Sequence, residues 1–153
     1  MKGFYQVTQK IKDYLLSDES VNTVTTGNLS DVDLAKQSIF PLSHLLFSNI
    51  SNEDNILRFS ISVISMDIVD YSKDEVTDVF IGNSNWQDIV NTQLAVQNKL
   101  VQMLRGGQLY QDLYQLEGNP NFEIFYERFE NNMAGLAVTL DIMIPNDILI
   151  DVN

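Results

Sequence analysis

One stretch near the end of the chain, residues 134–144, constrains the fold more than any other. Every second residue in it is apolar: Ala134, Leu136, Val138, Leu140, Ile142 and Ile144. Apolar residues at a spacing of two are typical of a strand with one buried face. Upstream, residues 122–129 mix aromatic with charged side chains and also favour a strand. Residues 130–132 include two asparagines that suit a turn, so a β-hairpin is predicted over residues 122–144.

Apolar spacing elsewhere predicts two helices and three further strands. The helical period recurs at the start of the chain and again in a long segment that closes at Gly106 and Gly107. Alternating or Val- and Thr-rich stretches favour strands, and Pro41 suits an edge or bulged strand. The predicted helices cover residues 3–16 and 85–105, and the predicted strands cover residues 21–26, 39–50 and 56–69.

The apolar face changes phase within the predicted strand 56–69. The odd-numbered residues from Leu57 to Val63 are apolar, whereas beyond them Ile64, Met66 and Ile68 are the apolar ones. A β-bulge inserts one extra residue into a strand and shifts the phase in this way. We therefore expect a bulge and a bend between Val63 and Ser65.

The order of elements is helix, strands, long helix, strands. This order predicts a single α+β domain over residues 1–153, with an antiparallel sheet and helices packed on one face. A parallel nucleotide-binding sheet would alternate strands with helices and would place a phosphate loop after the first strand. Neither pattern is present in the sequence.

The charge balance bears on possible partners. Nine Lys and Arg residues against 21 Asp and Glu give a formal net charge of −12. The basic residues are scattered, so no basic stripe is available to grip nucleic acid, although DNA could still move past such a surface. The chain has no cysteine, which excludes disulfides and thiolate chemistry. No apolar run approaches the roughly 20 residues of a membrane helix, so no membrane partner is expected.

Residues suited to catalysis or metal binding are sparse. His44 is the only histidine, and its apolar neighbours favour a structural role. Asp31 and Asp33 form a D-x-D pair, but the spacing of a calcium loop does not continue beyond them, and helix capping explains the same residues. Glu123 and Glu127 resemble a glycosidase pair, yet the phenylalanines beside them favour an interface stripe. We therefore expect no enzymatic activity, no cofactor and no metal.

The predicted strand 122–129 is apolar on both faces. Phe122, Ile124 and Tyr126 occupy one face, and Phe125 and Phe129 occupy the other. A sheet with helices on one side should have a polar second face, so a second copy of the chain is one candidate cover. The two helices could instead cover one face each, and the pattern favours neither alternative. The candidate interface residues are Phe125, Glu127, Phe129, Ile148 and Ile150.

The order of segments resembles the tail terminator (tail-completion) proteins of tailed bacteriophages and the related neck and minor tail proteins. The resemblance covers about residues 4–145. Its most specific part is the run from Phe129 through Ala134 and Gly135 into the alternating strand. Further matching parts are Val24 to Gly27, Ile39 to His44, the strand with the phase change, and the helix end from Leu104 to Gly107.

The resemblance implies a structural role in the virion, without a cofactor or an active site. Such proteins assemble in the bacterial host cytoplasm into a ring, commonly a hexamer and possibly a dodecamer. The ring caps the tail tube and joins it to the neck, connector or portal-adaptor protein, and DNA passes through without specific binding. An acidic channel wall would suit that passage, and the candidate channel-facing residues are Asp70, Asp74, Glu75 and Asp78.

A second function from a different class is a monomeric ligand-binding or carrier module. Its pocket would lie between the long helix and the sheet, with Trp86 and tyrosines as walls. Aromatic residues at helical or strand spacing are more often ordinary core residues, so the ring-forming protein is the favoured prediction.

Overall fold

The computed structural model describes residues 3–34, 36–69, 85–128 and 133–146. The helices are α1 (Phe4–Leu16), α2 (Trp86–Gly106) and the short α3 (Gln108–Gln111). The strands are β1 (Thr23–Thr26), β2 (Leu42–Glu53), β3 (Ile56–Ile68), β4 (Gln115–Glu117), β5 (Phe122–Arg128) and β6 (Met133–Pro145). Two 3₁₀ turns, Leu29–Asp31 and Gln37–Ile39, lie between β1 and β2. The predicted α+β class is confirmed.

The six strands form one mixed sheet in the order β1-β2-β3-β6-β4, and β5 also pairs with β6. Strands β2, β3, β4, β5 and β6 make only antiparallel pairs with one another. β1 pairs parallel to β2, because the chain crosses back through residues 27–41 before β2 begins. The sheet is therefore antiparallel apart from this one edge pair. β4 and β5 lie side by side along β6, one near each of its ends.

All three helices pack on one face of the sheet, as predicted. Their buried apolar residues include Val7, Ile11, Leu15, Val96, Leu100, Leu104 and Leu109. They pack against four of the six alternating residues of β6, from Val138 to Ile144, and against odd-numbered residues of β3. All six alternating residues of β6 are buried. Because α1 and α2 share a face, the alternative in which each helix covers a different face is wrong. None of the described helices is long and apolar enough to cross a membrane.

The described residues of the irregular segment 28–40 cover part of the opposite face. Leu29, Val32, Leu34, Ile39 and Phe40 pack there against even-numbered residues of β3 and against β2, β5 and β6. This second layer lies at the end of the sheet where β3 pairs with the first residues of β6. At that end the sheet is covered on both sides.

The second layer explains the phase change in β3, and the predicted bulge between Val63 and Ser65 is wrong. β3 pairs with β6 without interruption from Ile56 opposite Pro145 to Ile68 opposite Met133. Ile64, Met66 and Ile68 are apolar because they face the segment 28–40. The irregularity lies instead in β2, where the register shifts between Phe47 and Asn49.

A buried polar seam joins α2 to the centre of the sheet. The Gln97 amide nitrogen donates to the carbonyl oxygens of Val63, at 2.9 Å, and Leu136, at 2.8 Å. It also contacts the Ser65 hydroxyl at 3.2 Å. Glycine is required at position 135, because a Cβ there would collide with the Ser65 carbonyl oxygen on β3. These contacts fix the position of α2 along the sheet.

Candidate functional site

The pairing of β5 with β6 determines which side chains β5 presents on each face. Phe122 lies opposite Val138 and Ile124 opposite Leu136, so both belong to the helix-covered face. Phe125 lies opposite Gly135 and therefore belongs to the other face. The register shifts between Phe125 and Arg128.

Phe125 is a core residue, and the prediction that it belongs to an assembly surface is wrong. Its side chain is only 6% exposed and packs with Phe40, Leu42, Met66 and Met133. The segment 28–40, which has no regular apolar period, provides the cover that the sequence pattern did not reveal. Glu127 lies in β5, but its side chain and the whole of Phe129, Ile148 and Ile150 fall outside the described residues.

The exposed apolar residues of β5 are Ile124 and Tyr126. They are 56% and 59% exposed. The Tyr126 ring packs on Trp86 at the start of α2, with ring centroids 5.2 Å apart and planes inclined by 35°. No described strand pairs with the outer side of β5. We call Trp86, Ile124 and Tyr126 the β5 edge.

A second exposed apolar surface lies on the opposite side of the sheet. β1 pairs only with Leu42 to Leu45, so within the described residues β2 has no outer partner from Leu46 to Glu53. Ile50 on this stretch is 50% exposed, and Tyr5 at the start of α1 is 86% exposed. The Phe4 ring packs on Phe47 with centroids 4.7 Å apart. We call Phe4, Tyr5, Phe47 and Ile50 the β2 edge.

The sequence contains a partial signal for the β2 edge. Phe4 and Tyr5 are consecutive, and an amphipathic helix can bury only one of two adjacent positions fully. Ile50 carried no such signal, because its exposure depends on the bulge after Phe47 and on the short length of β1. The other exposed apolar residues, Leu16, Leu94, Tyr110 and Leu113, lie outside the strands.

The face opposite the helices is polar in the half of the sheet that segment 28–40 does not reach. The Ser60 hydroxyl donates to Asp141 at 2.6 Å, and the Ser62 and Thr139 hydroxyls lie 3.1 Å apart. Arg58 forms ion pairs of 2.6 Å with both Glu53 and Glu117. Small hydroxyl residues and a neutralised arginine therefore make up much of this surface, which we call the open face.

His44 joins β1 to β2, in agreement with the predicted structural role. It is buried, and its Nδ1 lies 2.7 Å from the Thr25 hydroxyl. Its Nε2 lies 2.7 Å from the Gly27 carbonyl oxygen, which can only accept, so the neutral ring donates at Nε2 and accepts at Nδ1. Burial lowers the pKa of His44, and the Gly27 hydrogen bond opposes that shift. Both nitrogens are occupied by structural hydrogen bonds.

Two further predicted sites contain only acidic residues. Asp31 and Asp33 line an open cavity of about 560 Å³ beside β1, together with Lys36. No group of three metal-binding side chains occurs within the described part of the chain. Asp70, Asp74, Glu75 and Asp78 all lie outside the described residues.

The sequence predicts a ligand pocket between the long helix, which is α2, and the sheet. The inward residues of α2, Val96, Leu100 and Leu104, are buried, and Gln97 is hydrogen-bonded to the sheet. A cavity of about 240 Å³ lies elsewhere, between α1 and α3, where Lys10 and Tyr14 are among its lining residues. The carrier function stays a prediction, and the close packing of α2 disfavours its proposed location.

Neither a scan against protein-family models nor a search of curated proteins finds a match to this chain. Function is therefore inferred from the two edges and the open face of the sheet.

Proposed function

We propose that the protein is a virion structural protein of a tailed bacteriophage. It forms a ring at the head–tail junction or at the tail end, caps the tail tube, and joins the tube to the neck or connector. The observation that carries this proposal is the pair of exposed apolar edges on opposite sides of one sheet. The resemblance of the sequence to tail terminators supplies the biological setting, and the α+β fold agrees with that resemblance.

Two different edges favour a ring over a two-fold dimer. A two-fold dimer uses the same patch on both subunits, whereas a ring joins one patch to a different patch on the next subunit. The β2 edge and the β5 edge differ in composition and lie on opposite sides of the sheet. Exposed apolar strand edges also favour association, because their backbone donors and acceptors are available to another chain.

The charge of the protein supports a conduit for DNA. A net charge of −12 opposes adhesion to the phosphate backbone. On the open face, Arg58 is neutralised by two carboxylates, and its neighbours are mostly hydroxyl residues. The proposed partners are other copies of the chain, the tail tube protein, and a neck or portal-adaptor protein.

Light scattering coupled to size exclusion tests the assembly. We expect a particle near six times the subunit mass of 17.4 kDa when no tail tubes are present. Electron microscopy should then show a ring that binds the end of tubes made from the tube protein of the same genome. A protein that remains monomeric at high concentration and does not bind tube ends would overturn the proposal.

A further inference from the structure

We propose that the ring is built by staggered pairing of the β2 edge of one copy with the β5 edge of the next. This inference rests on the proposed ring and specifies the surfaces that join its subunits. The partner on each edge is a second copy of this chain, and the contact extends the sheet from one subunit into the next.

The two edges are compatible because their apolar side chains lie on the same face of the sheet. Ile50 lies opposite Phe59, which packs with the helices. Ile124 lies opposite Leu136, which shares a face of β6 with Val138, another residue that packs with the helices. If the strands of two copies pair edge to edge, Ile50 and the Phe4–Phe47 pair come beside Ile124 and Tyr126. An apolar strip then continues across the junction beneath the helical layer.

The edges are displaced from each other along the strands. β5 lies level with Met66, because Phe125 and Met66 both pair with Gly135. Ile50 lies level with Phe59. Seven positions from Phe59 to Met66, at about 3.3 Å each, give a stagger of roughly 23 Å between successive copies. Repeated stagger requires strands that tilt relative to the ring axis, as in a closed barrel.

Charge complementarity favours this pairing. Helix α1, which holds Phe4 and Tyr5 at the β2 edge, carries Lys12, whereas β5 carries Glu123. Lys10 of the same helix is already paired with Asp112 at 2.8 Å and does not contribute. Lys12 makes no ion pair with any described residue, so it is available to a carboxylate of a neighbouring copy. Two copies that met through the same edge would instead bring like charges together.

The area is also adequate for the centre of a subunit contact. A fully buried aromatic side chain contributes about 150–250 Å², so a half-exposed one offers roughly 100 Å². A stable interface buries about 800 Å² on each partner. The apolar residues of each edge can form the core of such an interface, and the strand backbones and polar rim can supply the remainder.

The absence of cysteine allows a direct cross-linking test. Asn49→Cys places a thiol on the β2 edge and Glu123→Cys places one on the β5 edge; both positions are exposed and belong to the face opposite the helices. A short bismaleimide is added to each single variant, to a mixture of both, and to the double variant. Thr139→Cys, exposed in the central strand β6, sets the background.

We expect neither single variant to cross-link above the Thr139→Cys background. The mixture should give dimers, and the double variant should give a ladder that ends at the ring. Efficient dimers from either single variant alone would overturn the inference, because they would show an edge paired with itself. A ring by light scattering without cross-links in the mixture would also overturn it while leaving the proposed function intact.

If light scattering shows only a monomer, both the ring and the edge pairing are contradicted.

A second measurement checks that loss of the ring does not result from misfolding. Ile124→Lys should reduce the ring to monomers that unfold at the same denaturant midpoint as a monomeric Ile50→Lys variant. A ring that persists in both variants would place the subunit contact elsewhere.

Discussion

The two ends of the sheet differ in how many faces are covered. Around Met66 and Gly135, helices lie on one side and the segment 28–40 lies on the other. Around Ser60 and Asp141, the helical side is covered but the other face is open. The difference is visible in the sequence of β3. The even-numbered residues from Arg58 to Ser62 are polar at the open end, and those from Ile64 to Ile68 are apolar at the covered end. A change of phase in a strand can thus report a second layer and need not indicate a bulge.

Phe125→Ala should produce the largest loss of stability, because this residue belongs to the covered end. Truncation of a buried phenylalanine costs about 3–5 kcal/mol. Tyr126→Ala is the matched control, since the neighbouring ring is mostly exposed. Chemical denaturation measures both variants. Equal losses in the two variants would contradict the assignment of Phe125 to the core.

Gln97→Ala should cost about 2–3 kcal/mol. The substitution leaves the buried carbonyl oxygens of Val63 and Leu136 without the donor that α2 supplies. Asn98→Ala, at the exposed neighbouring position of the same helix, should change the free energy of unfolding by less than about 0.5 kcal/mol. A Gln97→Ala variant with an unchanged free energy of unfolding would show that the polar seam contributes little to the stability of the covered end.

The spacing of residues in the sequence predicted some features of the two ends of the sheet and missed others. The alternation in β6 and the two glycines at the end of α2 were sufficient, because both signals depend on neighbours in sequence. The cover over Phe125 depends on residues about 90 positions away, and segment 28–40 carries no helical or strand period. The β2 edge and the β5 edge were missed for a related reason. Their exposure depends on the lengths of β1 and β5 relative to the strands that they border.

The stability of the covered end should fall in mild acid through His44. Burial lowers the pKa of this residue in the folded protein, so the unfolded chain binds a proton more readily below about pH 6.5. The contribution of neutral His44 is therefore fully present above that pH. It decreases as the pH falls, by at most about 1.4 kcal/mol per unit. His44→Gln should flatten the pH dependence of unfolding between pH 7 and 5.5. An unchanged slope in the variant would assign the dependence to other groups.

Arg58→Ala should have the smallest effect, because it removes ion pairs from the open end. The carboxylates of Glu53 and Glu117 that it contacts are nearly half exposed, and exposed ion pairs contribute about 0.2–1 kcal/mol each. The loss should diminish further in high salt, since screening weakens both pairs. Unfolding at low and at high ionic strength measures this. A loss comparable to that of Phe125→Ala would mean that the open end is held as firmly as the covered end, and the contrast between them would not extend to stability.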